Sequence, residues 1–149
     1  TGTSREPADS MSELAEAFQV LPGTRSGILS VALQERGLVI SIAGSVLFAP
    51  GEVTLKPDAR VYLDDVARKL QDVELPIMVE GTADREGNPN PGGYTPWDLA
   101  ALRAGAVVSY FVERHGIPGS RFVTIGYGSA EAAERPPDMV TIVVLRKAQ

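Results

Sequence analysis

The sequence predicts an α/β sandwich in which a mixed sheet of β-α-β-α-β-β order carries its helices on one face, with an additional N-terminal helix. Short runs rich in Ile, Val and Leu have the length of buried strands, whereas longer segments have apolar residues at helical spacing. The strand-like runs lie at residues 27–43, which hold two strands, and at 75–81, 121–128 and 139–147. Because 149 residues is the length of one domain with an extension, we expect a linker and short helix over residues 1–27 and a domain over 28–149.

The N-terminal helix is predicted from a start signal and an apolar stripe. Ser10 and Glu13 have the spacing of a capping box, which places the start of the helix at Ser10. Apolar residues then recur on one side, at Met11, Leu14, Ala15, Phe18 and Leu21. The sequence leaves two partners open for this stripe: the domain's own core, or a second copy of the chain or an upstream linker.

The remaining elements follow in chain order. The polar residues 34–37, which end in glycine, suit the turn of a hairpin between the first two strands. Pro57 suits a first helical position, and apolar residues at helical spacing extend the helix to about Gln71. A second helix is expected from Trp97 to Arg114, with one apolar face formed by Ala100, Ala104, Val107 and Phe111. The single histidine, His115, precedes a glycine and is expected to cap the end of that helix.

Composition excludes several classes of function. The chain has 14 Lys and Arg against 19 Asp and Glu, and its net charge of -5 repels nucleic acid and acidic lipid surfaces. It has no cysteine, which excludes disulfides, a thiolate nucleophile and a Cys zinc site. A catalytic triad would lack its base if the one histidine caps a helix, so we expect no enzyme, no cofactor and no metal site. The chain has no run of apolar residues long enough to span a membrane.

One acid and one base stand out near the middle of the chain. Asp84 directly follows the buried strand that ends in Gly81-Thr82-Ala83, and Arg103 lies about two turns into the helix after a loop rich in Gly, Pro and Asn. An arginine fork binds a carboxylate and an aspartate accepts from an ammonium, so the two side chains suit a zwitterionic ligand if they face one pocket. The alternative is that Asp84 and Arg103 pair with each other or face water.

Four motifs follow one another over residues 37–145 and carry a resemblance to a known family. They are "RGLVISIAGSVLFAPGEVTLKPDA", "IMVEGTAD", "PWDLAALRA" and "GIPGSRFVTIGYG". They resemble the Leu-Phe-x-x-Gly turn with its Leu-x-Pro helix start, the Gly-His-Thr-Asp strand end, the Asn-Trp-Glu-Leu-Ser-x-x-Arg-Ala helix and the Gly-Tyr-Gly strand of OmpA-like peptidoglycan-associating domains. The resemblance is to the flagellar stator branch of that family, MotB.

The resemblance implies a fold, a ligand and a set of site residues. The family has the α/β sandwich described above, and its members hold the cell wall by the diaminopimelate of the peptide stem. Carried over by position, the ligand-binding residues fall on Asp84 and Arg103, with Thr82 and Leu99 beside them in the same motifs. Because diaminopimelate has an amino group and a carboxylate on one carbon, its binding requires an acid and a base. Residues 28–149 are then an OmpA-like peptidoglycan-binding domain.

The chain departs from the family pattern at several of these positions. Thr82 and Ala83 stand where His or Tyr usually precedes Thr-Asp, and Pro96 replaces the Asn before Trp. Residues 137–141 are Pro-Asp-Met-Val-Thr in place of the usual Asn-Arg-Arg-Val-Glu, an exchange of two positive charges for one negative charge and an apolar side chain. The exchange removes the hydrogen-bond donors of two arginine side chains, which support the carboxylate of the ligand.

Two functions are therefore carried forward. The first is a periplasmic wall-binding domain of a flagellar stator protein, tethered to the inner membrane by an N-terminal segment outside this chain. Its partners would be peptidoglycan, a membrane ion-channel subunit and a second copy of the domain. The alternative is a structural dimerisation or assembly module that has lost glycan binding and docks through the Phe18 stripe or the edge at residues 136–139.

Overall fold

The computed structural model describes residues 7–84 and 90–147, with side chains from residue 11 onward. Within these ranges the chain forms one five-stranded sheet in the order β1-β2-β5-β3-β4. The strands are β1 (Leu29–Gln34), β2 (Gly37–Ala43), β3 (Ile77–Thr82), β4 (Phe122–Tyr127) and β5 (Met139–Leu145). Neighbouring strands run antiparallel except β3 and β4, which are parallel and joined through a helix. The sheet is mixed, as the sequence predicts.

The helices pack on one face of this sheet. They are α1 (Pro7–Gln19), α2 (Pro22–Arg25), α3 (Gly44–Leu47), α4 (Arg60–Leu70) and α5 (Pro96–His115), with single 3-10 turns at Pro57–Ala59 and Gly119–Arg121. The element order agrees with the predicted β-α-β-α-β-β core, and the predicted faces of α4 and α5 are confirmed. Leu63 and Phe111 are fully buried between the helices and the sheet.

The N-terminal stripe covers the domain's own core. Met11, Leu14, Phe18 and Leu21 are all buried and belong to the same apolar cluster as the sheet and α4. The structure therefore decides between the two partners that the sequence leaves open. An interface with a second copy through this stripe is contradicted, although the division between residues 27 and 28 stays a prediction.

The start of α1 differs from the sequence prediction. The helix begins at Pro7, so Ser10 lies within its first turn instead of capping it. Proline suits the first turn because its missing N–H has no intrahelical acceptor there and its ring presets a helical φ. The predicted hairpin is confirmed, with Gln34 paired to Gly37 across a two-residue turn.

Two glycines set the close approach of α5 to the strands beneath it. A methyl group at Gly81 in β3 would overlap the Ala100 carbonyl, and one at Gly126 in β4 would overlap the Ala101 backbone. Glycine is needed where a helix backbone lies this close to a strand. The helix itself begins after Thr95, whose hydroxyl accepts a hydrogen bond from the Asp98 N–H at 3.1 Å. These contacts fix α5, and with it Arg103, against the end of β3.

The single histidine closes α5, as predicted. His115 is the last residue of the helix, and Gly116 follows it in the left-handed conformation with φ 66°. The His115 ring lies 2.6 Å from the Asp64 carboxylate, which also accepts a hydrogen bond from the Tyr110 hydroxyl at 2.6 Å. This cluster joins the end of α5 to α4 and explains the histidine as a structural residue.

Candidate functional site

Asp84 and Arg103 are brought into direct contact at the carboxyl end of β3. Arg103 Nη1 donates to Asp84 Oδ1 at 2.5 Å, and the Gly51 N–H donates to Asp84 Oδ2 at 2.7 Å. The Asp84 side chain retains 10% of its exposure, whereas that of Arg103 retains 1%. Each oxygen of the carboxylate therefore has a donor from the protein, and the aspartate is held in one orientation.

The Arg103 guanidinium is almost completely used by the protein. Its Nε donates to the Glu52 carbonyl at 2.8 Å and its Nη2 to the Ala49 carbonyl at 3.1 Å, while Nη1 donates to both Asp84 and Asp138. Its plane also lies over the Phe48 ring, 4.8 Å from the centroid. One bond from Nε, two from Nη1 and one from Nη2 occupy four of the five N–H groups of an arginine.

The loop between α3 and α4 supplies the backbone groups of this cluster. A bridge between Phe48 and Leu55 closes the loop, and Gly51 adopts the left-handed conformation with φ 70° that presents its N–H to Asp84. Side-chain chemistry does not reveal the role of this loop, because its contribution is made by main-chain atoms. The available signal was the Leu-Phe-x-x-Gly turn, which places a glycine at the required position.

A third charged residue, Asp138, completes the cluster. Its Oδ1 lies 3.3 Å from Arg103 Nη1. Its backbone is in the left-handed region with φ 55°, held by hydrogen bonds of 2.7 Å to the Ala83 carbonyl and from the Gly44 N–H. Burial raises the pKa of Asp138 from 3.8 to about 6, and the hydrogen bond with Asp84 and the negative charge of Asp84 add to this shift. The positive charge of Arg103 lowers the pKa but does not outweigh these effects. Two carboxylates thus share one guanidinium.

Thr82 and Leu99 are the other two residues that the sequence predicts at the site. The Thr82 hydroxyl donates to the Pro136 carbonyl at 2.8 Å and accepts from the Met139 N–H at 3.0 Å. Both residues are 3% exposed. Thr82 fixes the segment that carries Asp138, whereas Leu99 presents an apolar side chain in the first half of α5. Whether either residue contacts a ligand stays a prediction.

An open cleft of about 760 Å³ lies beside the cluster. Of the described residues, those that line it are Ala83, Asp84, Pro96, Gly128, Ser129, Ala130, Glu131, Arg135 and Pro137. Asp84 forms part of its wall, whereas Arg103 lies behind Asp84. Arg135, which is not among the site residues predicted from the sequence, has surroundings that differ from those of Arg103.

Arg135 belongs to a second ion-pair cluster, centred on Glu80 of β3. Arg36 donates to Glu80 from Nη1 at 2.7 Å and from Nη2 at 3.3 Å, while Arg135 Nε lies 3.3 Å from the same carboxylate. The Tyr127 hydroxyl donates a further hydrogen bond to Glu80 at 3.2 Å. Burial of Glu80 opposes its ionisation, but the hydrogen bonds from Arg36 and Arg135 outweigh burial and lower its pKa. Here two guanidinium groups share one carboxylate.

The match to a protein-family model decides the family. The model described as "OmpA family" matches residues 47–139, a range that includes the Gly51 loop, Asp84, Arg103 and Asp138. The chain belongs to the OmpA family. This membership, together with the fold, places the chain in a family whose role is structural rather than catalytic, as the sequence predicts.

Two proteins are similar to this chain in sequence. "Uncharacterized protein YtxE" of Bacillus subtilis (strain 168) is 33% identical over 97 residues, which are 65% of this chain and 40% of the relative. "Peptidoglycan-associated lipoprotein" of Rhizobium meliloti (strain 1021) is 30% identical over 95 residues, 63% of this chain and 51% of the relative. The chain thus spans about half or less of the length of these relatives.

Solved structures share the whole fold at low sequence identity. A putative MotB-like protein from Desulfovibrio vulgaris has a TM-score of 0.76 at 23% identity, covering 96% of this chain and 93% of that one. The cell wall anchor of the T6SS from Pseudomonas aeruginosa has a TM-score of 0.73 at 20% identity, covering 90% and 97%. The periplasmic domain of Helicobacter pylori MotB has a TM-score of 0.68 at 19% identity, covering 80% of each chain. These likenesses confirm the predicted OmpA-like architecture.

Among residues 7–84 and 90–147, none of the helices has both the length and the apolar character needed to cross a bilayer.

Proposed function

We propose that this chain is the periplasmic, peptidoglycan-binding domain of a MotB-like protein and that its cleft holds the peptide stem of the cell wall. The observation that carries the proposal is the Asp84 carboxylate, fixed by Arg103 and Gly51 in the wall of an open cleft. The OmpA-family match supports it, as do a relative named for peptidoglycan association and a structural neighbour named as a cell wall anchor.

Asp84 is proposed to accept the ammonium group of diaminopimelate. A carboxylate held by two protein donors keeps lone pairs for a third donor, and its fixed orientation lowers the entropy lost on binding. Arg103 is proposed as the residue that positions Asp84, because its own N–H groups are bound to Asp84, Asp138 and two carbonyls.

The wider assembly follows from the same proposal. An N-terminal segment outside the given chain would tether the domain to the inner membrane, where its partner would be an ion-channel subunit of a flagellar stator. We propose that the domain is presented as a homodimer in this assembly. Since the α1 stripe is buried within each domain, the dimer contact has to use another surface.

One observation favours the alternative of an assembly module that has lost glycan binding. Asp138 occupies a position where the family usually has arginine, and it adds a second carboxylate beside Asp84. The docking surfaces suggested by the sequence are less suitable, because Phe18 is buried and β5 lies between β2 and β3.

Sedimentation with insoluble peptidoglycan tests the proposal directly. The folded domain is expected to pellet with the wall, and Asp84→Asn is expected to reduce the pelleted fraction because it removes the charge that attracts the ammonium. Asp65→Asn makes the same change on α4, in a pair with Arg68 remote from the cleft, and should pellet like the unmodified domain. A folded domain that stays in the supernatant would favour the assembly module.

A further inference from the structure

We propose that Arg135 is the residue that binds the carboxylate of the ligand, opposite the ammonium that Asp84 receives in the same cleft. This inference rests on the proposed function, since it assigns the second half of a zwitterionic group to a particular side chain. Both residues line the cleft of about 760 Å³, in which Arg103 does not take part.

Arg103 has little capacity for a ligand carboxylate. Its side chain is 1% exposed, and four of its N–H groups already donate to acceptors of the protein. A ligand carboxylate would have to displace Asp84 or Asp138 from Nη1, and the displaced carboxylate would remain in a buried position without its cation. Such a displacement is costly because a buried, unpaired charge is strongly destabilising.

Arg135 has the capacity that Arg103 lacks. Its side chain is 34% exposed, and its Nε and Nη1 donate long hydrogen bonds of 3.3 Å each, to Glu80 and to the Ala133 carbonyl. The hydrogen bond to Glu80, and more weakly one to Tyr127, raises the pKa of Arg135, whose guanidinium also lies 5.3 Å from the Tyr127 ring centroid.

The two ion-pair clusters have opposite net charge. Asp84 and Asp138 against Arg103 leave one net negative charge when both aspartates are ionised, and Arg36 and Arg135 against Glu80 leave one net positive charge. Asp84 brings the negative end to the cleft and Arg135 brings the positive end. The two side chains therefore match the charges of a ligand that carries both an ammonium and a carboxylate.

The same wall contains a residue whose charge opposes the carboxylate. Glu131 is exposed and lines the cleft together with Arg135. If the ligand carboxylate lies at Arg135, the negative charge of Glu131 repels it. Glu131→Gln is therefore expected to raise the affinity for a ligand with a free carboxylate, and a loss of affinity would contradict this placement.

The experiment uses two soluble muropeptides that differ in one group. Their peptide stems contain diaminopimelate, and the carboxylate on the carbon that carries the free amino group is a free acid in one and an amide in the other. Calorimetric titration is expected to show that the unmodified domain prefers the free acid. Arg135→Gln should weaken binding of the free acid by about ten- to a hundredfold, the range for a lost charge-assisted hydrogen bond, and should change binding of the amide much less.

Two further variants control the result. Arg68→Gln makes the same change in charge on α4, where Arg68 is 63% exposed and pairs with Asp65, and should leave both affinities unchanged. Arg135→Lys keeps the charge but loses the fork, and should retain part of the preference for the free acid. Equal binding of the two muropeptides by the unmodified domain, or a preference that survives in Arg135→Gln, overturns the inference and leaves peptidoglycan binding intact. Failure of both muropeptides to bind the folded domain overturns both proposals.

Discussion

Two ion-pair clusters at the carboxyl half of β3 have opposite composition. In the acidic cluster, Asp84 and Asp138 share Arg103, whereas in the basic cluster Arg36 and Arg135 share Glu80. In both, the central residue is buried and one of the outer residues reaches the cleft. The comparison shows how one strand end presents both signs of charge to the same opening.

The two clusters differ in how firmly the cleft-lining residue is held. Asp84 receives hydrogen bonds of 2.5 Å and 2.7 Å, one to each oxygen, and keeps 10% of its exposure. Arg135 makes bonds of 3.3 Å and keeps 34%. A tightly held group offers a fixed acceptor, and a loosely held one offers spare donors, so the two ends of the cleft suit different parts of a ligand.

The largest expected effect comes from removing the centre of the acidic cluster. Arg103→Met leaves Asp84 and Asp138 without their cation in a buried position, and breaking such a pair typically costs about 3 to 5 kcal/mol in the free energy of unfolding. Urea denaturation followed by circular dichroism measures the loss. The control Arg68→Met removes an exposed partner on α4 and should cost about 1 kcal/mol or less. Equal losses in the two variants would show that Arg103 is not the structural centre described above.

A smaller effect is expected from crowding the same cluster at Gly44. A methyl group there would overlap the Asp138 carboxylate and press on Arg103, so the Asp138 side chain has to move. Gly44→Ala should therefore cost about 1 to 3 kcal/mol, the usual range for overpacking. In Gly105→Ala the new methyl meets no heavy atom within 4 Å, so this change in α5 should stabilise the domain by about 0.5 to 1 kcal/mol. A Gly44→Ala domain as stable as the unmodified one would mean that Asp138 is free to leave the cluster.

The clusters should also respond to pH in opposite directions. The pKa of Asp138 is raised from 3.8 to about 6 by burial and by Asp84, so the folded state binds this proton more tightly than the unfolded state. Its contribution to stability is then full below about pH 4 and is lost as pH rises to about 6. The pKa of Glu80 is lowered from 4.5 despite its burial, because Arg36 and Arg135 bind it, so its contribution is present above that value and is lost as pH falls through the lowered pKa.

Differences between variants isolate these two contributions from other titrating groups. For Asp138, the quantity to follow is the free energy of unfolding of the unmodified domain minus that of Asp138→Asn. This difference should fall by at most about 2 kcal/mol between pH 4 and pH 6. A pKa shift of one unit is worth roughly 1.4 kcal/mol, and the partial exposure of Asp138 screens the effect. The corresponding difference for Glu80→Gln should be full at about pH 6 and should begin to fall as pH drops through 4.5. A difference for Asp138→Asn that rises with pH would reverse the assignment of its pKa.

The elements most accurately predicted from sequence are those with a strong local pattern. The period of apolar residues places Leu63 and Phe111 in the core, and the turn residues place the hairpin, because both signals arise from neighbours along the chain. The local pattern of apolar residues predicts that a helix has a buried face but not what that face packs against. The sequence therefore left two possible partners for the apolar stripe that contains Phe18. The early start of α1 at Pro7 was missed because the capping-box spacing suggested a later one.

The candidate site was predictable only in part, for a related reason. Asp84 and Arg103 are identified by residue type and by resemblance, but Arg103 is held by the carbonyls of Ala49 and Glu52, and a carbonyl acceptor can belong to any residue type. Arg135 and Glu80 lie 55 residues apart, and they meet only through the register of the sheet and the path of the loop before β5. Contacts between residues this far apart in the chain cannot be predicted from the local spacing of apolar residues.

The smallest expected effect distinguishes a residue kept for ligand binding from one kept for stability. Arg135→Gln should lower the free energy of unfolding by less than about 1 kcal/mol, because Arg135 is partly exposed and its bond to Glu80 is long. Arg36→Gln should cost more, since Arg36 makes two bonds to Glu80, one of them 2.7 Å. Urea denaturation of both variants, with Glu80→Gln and the two double variants to complete the cycles, gives each coupling energy separately. A cost for Arg135→Gln above that for Arg36→Gln would make Arg135 a structural residue like Arg103 and would remove the physical basis for placing a ligand carboxylate beside it.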